Sequence, residues 1–274
     1  MALSDEELER YARHIVLRQV GGTGQAKIHA ARVLIVGAGG LGSPLALYLA
    51  AAGVGALGLV DDDSVSLSNL QRQILFQTGD VGRPKTEAAA KALGALNPGV
   101  TIEPHAVRLT AANARALIGA YDIVADGSDN FPTRFLVNDA CFFAGKTLVS
   151  AAVLRFDGQL STYKPHAGGP CYRCLFPEPP PAELAPSCGA NGVLGVLPGT
   201  MGLLQATEVV KLIVGAGDPA IGRLLLYDAL GATLTEVKVH RDPECPICSR
   251  DPDEIADEEM GVFPDYEAFC AAAG

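Results

Sequence analysis

The stretch Arg32-Val33-Leu34-Ile35-Val36-Gly37-Ala38-Gly39-Gly40-Leu41-Gly42 decides how this chain folds. A short, β-branched run that closes on glycines reads as a strand buried on both faces. The small-residue stretch Leu41–Ala52 that follows, stopped by Gly53, reads as a helix. Gly37, Gly39 and Gly42 fit G-x-G-x-x-G, with Gly40 inside the turn. Placed between a strand and a helix, such a turn lets a phosphate approach backbone N–H groups at the helix N-terminus. The alternative is that these glycines serve only the packing of helix on strand. The pattern by itself does not separate a dinucleotide from ATP.

Working outward, the next strand, Leu57–Val60, ends at Asp61-Asp62-Asp63. Asp61 lies 19 positions after Gly42 (61 − 42), where an acidic residue can hold ribose hydroxyls. Helices near 84–96, 111–119 and 131–144 alternate with strands near 100–107, Ile123–Ala125 and Leu148-Val149. This predicts an α/β fold, a Rossmann-like, mostly parallel sheet flanked by helices. Ser4 with Glu7 forms a capping box, and apolar residues from Leu8 to Val16 predict one first helix over 5–19, ended by Gly21-Gly22. After residue 150 the strand-like stretches Gln159–Tyr163, Leu224–Tyr227 and Thr233–Val239, with one helix at about 200–214, predict antiparallel strands extending the same sheet. The expected organisation is a single domain over 1–250, with a nucleotide-binding half at 30–150, a crossover loop and antiparallel half at 151–250, and an acidic tail at 251–274. The proline run Pro177-Glu178-Pro179-Pro180-Pro181 fits neither helix nor strand and reads as a mobile loop.

Composition narrows the function. The 274 residues are 49% hydrophobic and carry 21 Lys+Arg against 31 Asp+Glu, a formal charge of 21 − 31 = −10. That acidity argues against nucleic acid or an anionic membrane as partner. The longest apolar region, Val193 to Gly217, is interrupted by Pro198, Glu208 and Lys211 and does not read as a membrane span. The acidic start Met1–Arg10 lacks the order of a signal peptide, and with seven cysteines this makes the cytoplasm the expected compartment.

Charged residues gather where the strands should end. Ser68-Asn69-Leu70-Gln71-Arg72-Gln73 follows the acidic turn, Lys85 opens a helix after Pro84, and Asp129-Asn130 follows the strand Ile123–Ala125. Arg72 and Lys85 converging there would neutralise a polyphosphate, and a carboxylate would hold Mg²⁺. Taken singly, each reads as a solvated surface residue; together they indicate a site.

Cys171-Tyr172-Arg173-Cys174 and Cys245-Pro246-Ile247-Cys248 are two C-x-x-C pairs. Four thiolates fill a tetrahedral Zn²⁺ shell and leave no open position, so the site would be structural; redox pairs are the rival. Cys188, in Pro186-Ser187-Cys188-Gly189, belongs to neither pair and is a candidate loop nucleophile or an incidental thiol. Cys141 reads as helix core, and Cys270 sits in the tail.

Leu67-Ser68-Asn69-Leu70-Gln71-Arg72-Gln73, after Gly37–Gly42 and before Gly82-Arg83-Pro84-Lys85, resembles the MoeB/ThiF-like adenylyltransferases related to ubiquitin-activating enzymes, and among them most the molybdopterin-synthase branch. The likeness runs from the first helix to about residue 248. It implies that Asp61 holds the ribose, that the turn around Gly40 faces the nucleotide, and that Asn69, Arg72 and Lys85 contact phosphates. Asp129, with Asn130 beside it, would lie by Mg²⁺ and the reacting phosphate. Arg13, in Tyr11-Ala12-Arg13-His14-Ile15, would reach into the neighbouring subunit of a homodimer. The resemblance also implies a four-cysteine zinc site and a sulfur or thioester role for a cysteine at the position of Cys188.

The activity so implied is ATP-dependent adenylation of the C-terminal glycine of a small ubiquitin-like sulfur carrier ending in Gly-Gly. A MoaD-like carrier is expected first and a ThiS-like one second, for molybdenum cofactor or thiamine biosynthesis, with tRNA thiolation also open. With 26 residues after Cys248 (274 − 248), sulfur is expected from a separate cysteine desulfurase or rhodanese. Two other classes remain: an NAD-dependent oxidoreductase on a similar sheet, and a zinc-bearing scaffold that binds a carrier without chemistry.

Overall fold

A computed structural model describes residues 3–180, 192–250 and 265–271. The expected strand–helix alternation forms one eight-stranded sheet. Its strands are β1 (Arg32–Val36), β2 (Ala56–Val60), β3 (Thr101–His105), β4 (Ile123–Asp126), β5 (Thr147–Leu154), β6 (Asp157–Tyr163), β7 (Arg223–Asp228) and β8 (Thr233–Lys238), in the order β3-β2-β1-β4-β5-β6-β7-β8. The first five pair in parallel and the last three join antiparallel. Because β1 lies between β2 and β4, the connections leave it in opposite directions and open a crevice at the strand carboxyl ends.

Alternation along β1 sends its side chains to two cores. Val33 and Ile35 join Leu45 and Leu49 of helix α4 (Gly42–Ala52). Leu34 and Val36 share the other core with Ile118 of helix α6 (Ala114–Gly119) and with Phe135 and Val137 of helix α7 (Phe131–Phe143). Helix α9 (Val196–Val214) crosses the α4 side, where Gln205 Nε2 donates to the carbonyls of Asp126, at 2.9 Å, and Val149, at 2.8 Å. It ties the parallel half to the start of the antiparallel one. Among the described residues, no helix is long and apolar enough to cross a membrane.

The single helix expected over 5–19 is instead broken. Helix α1 (Asp5–Arg10) keeps its capping box and ends at Tyr11, α2 (Ala12–Ile15) follows, and α3 (Gly21–Ala30) begins on the glycines expected to be a stop. The reason is burial: Tyr11 is 4% exposed and its hydroxyl accepts from Asn97 Nδ2 at 2.9 Å, which an unbroken surface helix would not allow. In α3 tertiary contact outweighs the poor helix propensity of glycine, since Gly24 sits where a side chain would meet Val20 and Val214. α9 starts at Val196 rather than near 200, and β5 runs over eight residues rather than two. The tail also carries structure: helix α10 (Tyr266–Ala271) packs on α7.

Candidate active site

The glycine turn is shaped by contacts no side chain could share. Gly37 has φ +89, and a Cβ on Gly42 would lie 1.9 Å from the Gly37 carbonyl oxygen. Gly42 therefore packs behind the turn, while Gly37, Gly39 and Gly40 line an open cleft of about 360 Å³ at the crevice.

Asp61, at the end of β2, closes one wall. Its Oδ2 accepts from Ala38 N at 2.8 Å and its Oδ1 from Asp63 N at 2.9 Å. Burial pushes its carboxyl up, against the opposing pull of Lys85. Lys85, at the start of helix α5 (Lys85–Leu96), is nearly buried, with Nζ 3.6 Å from Asp61 and 2.8 Å from Asp63. Arg72 reaches the cleft from the turn after the short 3₁₀ segment Leu67–Asn69, where its Nη1 donates to the Ser68 carbonyl at 3.2 Å.

Two carboxylates stand at the carboxyl end of β4, Asp126 as its last residue and Asp129 in the turn after it, one buried and one exposed. Asp126 is fully buried, accepts from Ser128 N at 2.9 Å, and is pushed up by burial. Asp129 is exposed into the cleft beside Asn130, whose side chain caps α7 by accepting from Thr133 N at 2.9 Å.

One cleft thus gathers Gly37, Gly39, Gly40, Asp61, Arg72, Lys85, Asp129 and Asn130. Asn69 is not in its lining; its Oδ1 accepts from Ser66 N at 3.2 Å and shapes the turn that carries Arg72. Arg13 is exposed on α2 and lines no part of its own chain's cleft. Cys188 lies outside the described residues, as does most of the loop 177–192. Sequence reasoning passed over Gln73 and Arg108, both in the cleft lining. Gln73 is 4% exposed, and among the described residues its Oε1 has no hydrogen-bond partner; it lies in the run Ser68–Gln73, where only its burial marks it. Arg108 belongs to no motif.

The four cysteines of the C-x-x-C pairs meet in space. Sγ–Sγ distances are 3.5 Å for Cys171–Cys245, 3.4 Å for Cys174–Cys248 and 3.9 Å for Cys171–Cys174. Tetrahedral Zn²⁺ with bonds of ~2.3 Å sets sulfurs about 3.8 Å apart, so the cluster fits that ion. The pairs are interleaved, with cross-pair distances shorter than the Cys171–Cys174 distance, unlike two independent redox pairs. Phe142, Phe143 and Ile247 surround the cluster. Beside it the Arg173 guanidinium pairs bidentately with Asp139 at 2.9 and 2.7 Å, binding helix α8 (Tyr172–Leu175) to α7. Cys141 is buried in α7, as expected.

A glycine turn, a carboxylate and cations at the switch point of a mostly parallel sheet, with a cluster of four cysteines on its flank, define a nucleotide-binding α/β protein. The ThiF family model matches residues 11–247, and the chain belongs to the ThiF family. It is 51% identical over 274 residues to a sulfur carrier protein adenylyltransferase of Thermus thermophilus, covering 98% of this chain and 99% of that protein. It is 52% identical to the adenylyltransferase and sulfurtransferase MOCS3 of Bos taurus, covering 99% of this chain but 58% of that longer protein. Among solved structures, E. coli MccB with MccA-N7isoASN superposes with a TM-score of 0.80 at 22% identity, over 90% of this chain and 76% of that one, a likeness of fold.

Proposed function

We propose that this protein is an ATP-dependent adenylyltransferase acting on the C-terminal glycine carboxylate of a small ubiquitin-like sulfur carrier. The observation that carries this reading is the single cleft lined by the glycine turn, Asp61, Arg72, Lys85 and Asp129. An NAD-dependent oxidoreductase would use the turn and Asp61 and leave the other three idle; a scaffold would use none of them. The relatives named as adenylyltransferases, at about half identity over nearly the whole chain, support the same reaction.

In that reaction a carrier carboxylate oxygen attacks the α-phosphorus of ATP. The new C–O–P bond forms as the α–β phosphoanhydride breaks, and pyrophosphate leaves. The carboxylate is already ionised at neutral pH, so no general base is required. The chain's contribution is position and charge. Asp61 accepts from the ribose hydroxyls, the glycine turn presents N–H groups to phosphate, and Arg72 and Lys85 stabilise charge moving onto the leaving group. Mg²⁺ would be held by the exposed carboxylate of Asp129 and would supply further charge neutralisation on the phosphates. Zn²⁺ on the four cysteines would hold the fold and take no part in the chemistry.

A MoaD-like carrier is the first candidate and a ThiS-like one the second, with sulfur delivered by a separate cysteine desulfurase or rhodanese. Carrier-dependent ATP–pyrophosphate exchange tests the reading, with the acyl-adenylate trapped by mass spectrometry; no exchange with any Gly-Gly carrier would sink it. The proposed homodimer, with Arg13 completing the partner's cleft, has its own test. Arg13→Ala and Arg72→Ala homodimers should each be inactive, and mixing and re-annealing them should restore exchange. Arg13 acting within its own chain predicts no restoration.

A further inference from the structure

Arg108 is the cleft cation that no motif supplied. It follows β3, while the glycine turn follows β1, two positions away in the sheet. At about 4.8 Å between neighbouring strands, that is roughly 10 Å. A nucleotide with phosphates on the turn and ribose on Asp61 after β2 therefore carries its base outward, to the wall formed by Val107, Arg108 and Leu109. This wall carries the apolar side chains Val107 and Leu109 on either side of Arg108. It opens into a second cavity that shares Arg108, Leu109 and Thr133 with the cleft and is backed by Pro132 and Leu136.

The charge of Arg108 is already answered. Its Nη2 donates to Oε1 of Glu267, on α10. An exposed ion pair adds little stability, so its consequence is geometric, and the helix that provides it is anchored. Tyr266 is 6% exposed and its hydroxyl donates to Asp139 at 2.7 Å, on the carboxylate that Arg173 grips. The Arg108 backbone is fixed too, its carbonyl accepting from Asn113 Nδ2 at 2.9 Å. A guanidinium held through one Nη by a carboxylate still has a planar face to offer an aromatic ring, and has less charge to spare for a phosphate.

We propose that Arg108 is a base-contacting residue of the nucleotide site, stacking its guanidinium on the purine, and that the C-terminal helix sets its orientation through Glu267. This rests on the adenylyltransferase reading and extends it, because it makes the tail part of the nucleotide site. Arg72 and Lys85 meet phosphates; Arg108 meets the ring.

The test is calorimetric binding of ATP and of inorganic tripolyphosphate to the full chain, as wild type and as Arg108→Ala, Arg108→Lys and Glu267→Ala. Arg108→Ala should weaken ATP about tenfold and tripolyphosphate less than about twofold, which also reports an intact fold. Arg108→Lys should recover little of the loss, since an ammonium has no planar face to stack. Glu267→Ala should weaken ATP about two- to threefold while sparing tripolyphosphate. Equal losses for both ligands would assign Arg108 to the phosphates and overturn the proposal, as would unchanged ATP affinity in Arg108→Ala. Wild-type protein that binds no ATP would instead remove the functional reading beneath it.

Discussion

The two ends of the sheet are built differently. Toward the parallel end, the interior strand β2 is buried at all five positions while the edge strand β3 is partly exposed, and the turns after these strands carry residues that line the cleft. At the antiparallel end β8 is exposed at all six positions, and the chain beyond it is tied back by the cluster of four cysteines rather than by a core of its own. A strand covered on both faces is stabilised by apolar burial, and its carboxyl end can be spent on charged groups. A strand covered on one face or neither must borrow stability from cross-links. The parallel end should therefore tolerate loss of site charges, and the antiparallel end should not tolerate loss of its sulfur ligands.

The largest effect expected is on chemistry alone. Arg72→Ala or Asp129→Ala should lower ATP–pyrophosphate exchange by roughly a thousandfold or more, with thermal unfolding within about 2 °C of wild type. A large drop in melting temperature would mean that the cleft charges also hold the fold together, and would break the contrast. Next comes Cys248→Ser, or chelation of the Zn²⁺ proposed on the four cysteines. Loss of the proposed zinc tether should cost on the order of 5 kcal/mol, a melting temperature roughly 10–20 °C lower for a domain of this size. ATP affinity of the still-folded fraction should change less than about twofold; a change as large as that of Arg72→Ala would couple the two ends.

The smallest effect carries a sign. Burial raises the Asp61 carboxyl above its unfolded value. A group raised in the folded state contributes stability that is full below its unfolded pKa, near ~3.9, and lost as pH rises through the folded value. At neutral pH the ionised carboxylate is thus a burden on the fold. Asp61→Asn should raise the melting temperature by about 1–3 °C at pH 7, with the gain fading toward pH 4. A loss of stability at pH 7 would show that the pairing with Lys85 outweighs burial.

Legibility in the sequence followed the range of the interactions. Gly37–Gly42 announced the turn because its conformation is local, and the Cys pairs announced their cluster because two-residue spacing already fits one ion. The break at Tyr11 was not legible: the partner of its hydroxyl, Asn97, is 86 positions away. Arg108 was equally silent, since only the order of strands brings it to the same cleft as Asp61. Gln73 was silent for another reason: a polar side chain in a turn reads as solvated until its burial is seen.

By itself, the sequence determined the α/β class, the glycine turn, the acidic residue after the second strand and the four thiols, because dihedral freedom, hydrophobic period and ligand spacing act between near neighbours. The tertiary structure alone decided which charges share one cleft, that Asp126 turns inward while Asp129 faces out, and that a helix from the tail reaches the rim. Those are outcomes of strand order and packing, which join residues far apart in the chain and leave no mark on the stretch where each one lies.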